Sequence, residues 1–185
     1  MLRNLLAAAV VVVLGGAVVA DELKSGPQMG DKVPGPFHPY TVTGEDAGKH
    51  VCLYCKAGLS PTVAVFVRNP DDPLTHKLLK ALDAETTKNA KAEMQSFAVF
   101  CGGKKDKLEP KLKEIAKNAE LKSLVLAIEE QDDPIPEKYK LNKDADVTVI
   151  LYVDLGVKAN YTFAKGKLTD KDIDAIIKDV SQIVK

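Results

Sequence analysis

Cys52 and Cys55 stand two residues apart in His50-Val51-Cys52-Leu53-Tyr54-Cys55, just ahead of a strongly apolar run, in a chain with one other cysteine, Cys101. Two thiols at this spacing can close a small ring and cycle between dithiol and disulfide, as a thiol-disulfide oxidoreductase would require. The same bond can also be a permanent staple that pins a turn. His50 adds a third potential ligand, so zinc or copper held by His50, Cys52 and Cys55, with His38 or a water completing the set, is a further chemistry of this segment. Lys56 follows Cys55, which removes the haem-attachment signature. The residue types alone leave these readings open.

Other candidates are bland. Cys101 ends an apolar run and reads as a buried core thiol. His76, beside Lys77, reads as a surface histidine. Asn160-Tyr161-Thr162 matches a glycosylation sequon, but it falls within a strand-like run and is taken as chance. The chain presents no Ser/His/Asp set, no phosphate-binding glycine loop and no paired-carboxylate motif, and no resident cofactor is expected beyond the zinc or copper alternative. With 26 basic and 26 acidic residues there is no electrostatic footprint for nucleic acid.

The elements that position these residues begin after an exported-protein signature. Arg3, an apolar stretch from Leu5 to Leu14 and the small residues before Asp21 have the layout of a signal peptide over residues 1–20, cleaved after Ala20. The apolar run is shorter than the roughly 20 residues of a membrane-spanning helix, so no membrane attachment is expected after cleavage. Its removal leaves 165 residues with 25 basic and 26 acidic side chains, a length that suits one domain. Export places the cysteines in a periplasmic or extracellular compartment that permits disulfides. A protein thiol or disulfide is the partner that this chemistry implies.

Residues 21–39 are rich in proline and glycine and read as an extended, loosely attached lead-in; residues 40–185 read as the folded domain. Within it, residues 62–67 (TVAVFV) form a short β-branched run that predicts a buried strand. Asp72 is placed to cap a helix with Pro73 in its first turn and Leu74, Leu78 and Leu82 at helical spacing. Residues 96–101 predict the next strand, 109–121 a helix through Leu112 and Ile115, and 123–128 a third strand. Residues 132–142 read as a loop with about one helical turn. Two strands, 147–153 and 157–164, are predicted as a hairpin. The last helix starts at Thr169, with Asp172 in the capping-box position, and carries Ile173, Ile176, Ile177, Val180 and Ile183. Alternating strands and helices imply an α/β fold with a parallel sheet, to which the hairpin adds antiparallel strands.

This order, with residues 30–44 (GDKVPGPFHPYTVTG) upstream of TVAVFV, resembles the thioredoxin-like superfamily, in particular its peroxiredoxin and exported-thioredoxin branch. The resemblance implies a three-layer fold, a central mixed sheet with helices on both faces, and thiol-disulfide chemistry. It also implies a nucleophilic cysteine just after the central strand, where this chain has Arg68-Asn69-Pro70-Asp71-Asp72-Pro73, and a cis-proline where it has Asp146-Val147-Thr148. Cys52 and Cys55 precede that strand, so on this scaffold they are a displaced pair in a loop or hairpin, at the other end of the sheet and without a helix N-terminus to lower a thiol pKa. Cys101 falls near Arg68 and Asn69, about 20 Å away by six residues of strand. The function expected is thiol-disulfide exchange through Cys52 and Cys55; the alternatives are a non-catalytic binding or scaffold module with a structural bridge, and a metal-binding periplasmic protein.

Overall fold

The computed structural model describes residues 23–130 and 135–184; the expected signal peptide, residues 1–20, lies outside them. Six strands form one sheet: β1 (Tyr40–Thr41), β2 (Thr62–Val67), β3 (Gln95–Phe100), β4 (Val125–Ile128), β5 (Ala145–Val153) and β6 (Gly156–Ala164), in the order β1-β4-β3-β2-β5-β6. β2, β3 and β4 run parallel, while β5 is antiparallel to β2, β6 to β5 and β1 to β4. The helices are α1 (Leu53–Ala57), α2 (Pro73–Lys88), α3 (Lys105–Ala119), α4 (Ile135–Lys138) and α5 (Asp170–Asp179).

β2 lies at the centre, and all six of its residues are buried. Val63, Val65 and Val67 face one side, where Leu78, Leu79 and Leu82 of α2, Leu112 and Ile115 of α3, and Ile173 and Ile176 of α5 close over them. α2 and α3 share this side because the β2-α2-β3 and β3-α3-β4 crossovers step in the same direction, and right-handed connections then place both helices on one face. Ala64 and Phe66 face the other side, covered by Val33 and Phe37 of the lead-in, Leu53 of α1, and Ile135 and Tyr139 at α4. The sheet thus has helices on both faces, as expected, but long ones on one and short ones on the other.

The described part of the lead-in is extended yet firmly fastened, where composition suggests loose attachment. Gly30 N–H donates to Val157 O at 3.0 Å, Val33 N–H to Leu155 O at 3.0 Å, and Val157 N–H to Asp31 O at 2.9 Å, so the segment runs along β6. Phe37 is 1% exposed and meets the Phe97 ring at 5.8 Å and the Tyr139 ring at 5.3 Å. Proline and glycine preclude regular structure here, but they do not prevent one aromatic from filling a gap in the core.

Element ends differ from the sequence expectation for local reasons. α3 begins four residues before Glu109, with Pro110 inside it as the sixth residue: the proline forfeits the N–H that would reach Asp106 O, and buried Leu108 rewards the extra turn. β4 starts at Val125 rather than Ser123 because Asp83 Oδ1, on buried α2, accepts the N–H groups of Lys122 (2.9 Å), Ser123 (2.7 Å) and Leu124 (2.8 Å). The hairpin turns through Asp154 and Leu155, with φ of 54° and 62°, the left-handed pair that a two-residue turn demands. α5 carries the expected capping box, with Asp172 N–H donating to Thr169 Oγ1 at 3.3 Å and Thr169 N–H to Asp172 Oδ2 at 2.9 Å.

Asp83→Ala removes the acceptor for three backbone donors at once. Unfolding in urea is expected to show a loss of about 3 kcal/mol with an unchanged slope, and Asp83→Asn, which keeps one acceptor oxygen, a smaller loss. A loss below about 0.5 kcal/mol for Ala would mean that water satisfies these groups instead.

Candidate functional site

After β1 the chain turns through residues 44–48 and returns beside it, with Tyr40 and His50 forming an antiparallel bridge. Cys52, in extended conformation, then caps α1, and its sulfur is bonded to that of Cys55, with a Cα–Cα distance of 5.2 Å. Cys55 N–H donates to Cys52 Sγ at 3.1 Å. The buried residues of α1 are Leu53 and Ala57, four apart and therefore on one face. Cys55, midway between them, is turned outward and exposed, whereas Cys52 is half-buried. Gly58, with φ of 56°, ends the helix, and Leu59 O accepts from Asp154 N–H at 3.1 Å, tying the link between α1 and β2 to the β5–β6 turn.

The pair therefore has a helix after all. Five residues are too few for a periodic signal, and a sulfur in place of a Ser or Asp cap hides the helix start. The inward spacing of Leu53 and Ala57 was the available clue. Beside α1 lies a groove of about 270 Å³, lined among others by Thr43, Asp46, Leu53, Lys56, Phe97 and Val125. Lys56 is held by Asp46 at 2.6 Å and by Glu45, and this contact keeps the Asp46 carboxyl below its usual range.

His50 does not join the sulfurs. Its Nε2 meets Glu130 Oε2 at 2.9 Å, its Nδ1 lies 3.2 Å from His38 O, and its ring packs edge-on against Tyr40. Lys105 Nζ sits 3.3 Å above the Tyr40 ring and 3.7 Å from Glu130 Oε1. Glu130, just beyond β4, carries no local sequence signal for this contact. Among the described residues no group of three or more His, Cys, Asp or Glu side chains is gathered to hold a metal ion. With both sulfurs bonded to each other, this disulfide form offers no thiolate to zinc or copper.

At the far end of β2, the segment 68–73 leads into α2 with Asp72 as its cap: its carboxylate accepts Leu74 N–H at 3.3 Å, Thr75 N–H at 3.1 Å and the Thr75 hydroxyl at 2.7 Å. His76, expected at the surface, is half-buried and donates through Nε2 to Pro70 O at 2.8 Å. On β5, Asp146 is raised above the usual carboxylate range by burial and then by the Asp72 charge. Cys101 is buried and is the free cysteine, its N–H donating to Val67 O at 2.8 Å. The cavity it shares with Arg68, Phe66 and Thr148 holds about 10 Å³, the space of a single water at most.

Burial pushes the Cys101 thiol up to about 12, with Glu129 adding to the effect and Arg68 opposing it. The native state keeps a proton that the unfolded chain releases near pH 9, so this contribution to stability is full below that pH and is lost as pH rises toward 12. A thiol reagent at pH 8 is expected to leave Cys101 unmodified in the native oxidised protein and to label it on unfolding; rapid native labelling would contradict the burial.

No protein-family model matches the chain, and no curated protein sequence matches it. Solved structures do. A secreted Mycobacterium tuberculosis disulfide oxidoreductase homologous to E. coli DsbE is similar with a TM-score of 0.59 at 12% identity, over 79% of this chain and 95% of that one. The thioredoxin domain of a thiol-disulfide oxidoreductase from Bacteroides vulgatus gives 0.61 at 12% identity, over 89% and 100%. A thiol peroxidase from Chromobacterium violaceum gives 0.57 at 14% identity, over 85% and 88%. The strand order β1-β4-β3-β2-β5-β6, its covering helices and these likenesses together show that the chain has the thioredoxin-like fold.

Proposed function

We propose that this chain is an exported thiol-disulfide exchange protein whose working pair is Cys52 and Cys55. The observation that carries this reading is their disulfide, presented with Cys55 at the surface on a helix that Leu53 and Ala57 anchor to the core. Exchange begins with attack of a thiolate on a disulfide sulfur, so one sulfur has to be reachable and the other able to leave. The thioredoxin-like frame supports the reading, and the layout of residues 1–20 supports export. The partner is a protein that carries a thiol pair or a disulfide. The groove beside α1, about 270 Å³, has room for a partner side chain next to the pair.

A second reading, a binding module with a structural bridge, is favoured by the burial of Leu53 and Ala57, because the bond also fixes the start of the helix that covers this face. The reduction potential separates the two. A value of about −270 to −120 mV is expected for an exchanging pair, and one below about −300 mV would leave only the staple. Replacing both cysteines with alanine is expected to abolish exchange with a dithiol protein and to lower stability by about 2 kcal/mol, the chain-entropy figure for so short a loop. Exchange that survives the double replacement would take the pair out of the mechanism.

A further inference from the structure

Attack on a disulfide has two available centres, and the choice follows from access to each sulfur and from how readily the other departs. On α1 these two factors agree. Cys55 lies on the outward side of a helix whose inward side is Leu53 and Ala57, and it is exposed; Cys52, at the junction between the return from β1 and the helix, is half-buried. Cys52 Sγ accepts the Cys55 N–H at 3.1 Å, and among the described residues no hydrogen bond reaches Cys55 Sγ. A backbone donor already aimed at Cys52 stabilises the thiolate that forms when the bond breaks, which makes Cys52 the better leaving group. With α1 only five residues long, this single contact rather than a helix dipole supplies the bias. Lys56, next to Cys55, is committed to Asp46 and Glu45 and gives Cys55 no free cation.

We propose that exchange at this pair is polarised toward Cys55: the incoming thiolate attacks Cys55 Sγ, and Cys52 leaves. The assignment rests on the pair being an exchange site. In the first step a partner sulfur bonds to Cys55 Sγ as the Cys52–Cys55 bond breaks, and the electron pair of that bond stays on Cys52 Sγ, held by the Cys55 N–H until it takes a proton from water. In the second, the other thiolate of a dithiol partner attacks the partner sulfur of the mixed disulfide and expels the Cys55 thiolate, which is protonated in turn. The partner's two thiols end as a disulfide, and Cys52 and Cys55 end reduced by the same two electrons. Cys55 is thus the sulfur that carries the partner, and Cys52 resolves the mixed disulfide when the reaction runs in reverse.

The test uses the intact oxidised protein with glutathione as a one-thiol probe, quenched rapidly with N-ethylmaleimide. Cys52 and Cys55 fall in one tryptic peptide, between Lys49 and Lys56, so fragment ions locate each group. Glutathione on Cys55 with maleimide on Cys52 is expected in at least about tenfold excess over the reverse. Equal amounts, or glutathione mainly on Cys52, would overturn the polarity; so would no adduct in a large excess of glutathione, because the accessible sulfur would then be missing. In the single variants, alkylation of Cys52 in Cys55→Ser is expected to reach its midpoint at lower pH than alkylation of Cys55 in Cys52→Ser, and the opposite order would also count against it. A potential too low for exchange, with the adduct still on Cys55, would defeat the exchange function and leave the polarity standing. A potential in the exchanging range with the adduct on Cys52 would do the converse.

Discussion

The structure depends on a strand that has no solvent side. β2 pairs with β3 on one edge and β5 on the other, and all six of its residues are buried, so both faces of the sheet have to be covered at its centre. Right-handed crossovers commit α2 and α3 to one face, and α5 joins them there. The other face is left to short pieces: Phe37 from the lead-in, Leu53 from α1, Ile135 and Tyr139 at α4. The segment that carries the cysteine pair is thus part of the cover for Phe66 and Phe97 before it is anything else.

That duty orients the chemistry. Because Leu53 and Ala57 are one helical turn apart and both face the core, Cys55 between them has to face out. The Cys-x-x-Cys spacing also fits the start of a helix, with the first sulfur at the cap and the second three residues on, where its N–H can reach back. Helix starts in the fold are filled by different side chains. At α2 the Asp72 carboxylate accepts the Leu74 and Thr75 N–H groups and the Thr75 hydroxyl. At α1 a sulfur accepts the Cys55 N–H. Both satisfy donors that a helix start leaves open, but only the sulfur can exchange a covalent bond.

Legibility in the sequence tracked how much each element declares itself over several residues. β2 and the Thr169–Asp172 box of α5 were readable at their observed ends because β-branched runs and paired caps are local signals. The α3 start was hidden by Pro110, and the β4 start by Asp83, whose carboxylate acts from about forty residues earlier in the chain. Of the site, the pairing of Cys52 with Cys55 was legible from spacing, and so was the isolation of Cys101. The helix under the pair was too short to show. The His50–Glu130 contact, which occupies a nitrogen that the metal reading needs, joins residues that are neighbours only in the folded sheet.

The two ends of β2 also differ in what solvent can reach. Beside residues 68–73, where the resemblance places a nucleophile, Cys101 is buried next to a cavity of about 10 Å³, its thiol pushed up to about 12 by that burial, and Glu129 adds negative charge that Arg68 opposes. Desolvation and the nearby carboxylate both oppose a thiolate at Cys101. At α1 the sulfur is exposed, its partner sulfur has a hydrogen-bond donor, and a groove opens alongside. A thioredoxin-like frame supplies helix starts at more than one place, and in this chain the start of α1 is the one where an exposed sulfur and a hydrogen-bonded sulfur meet.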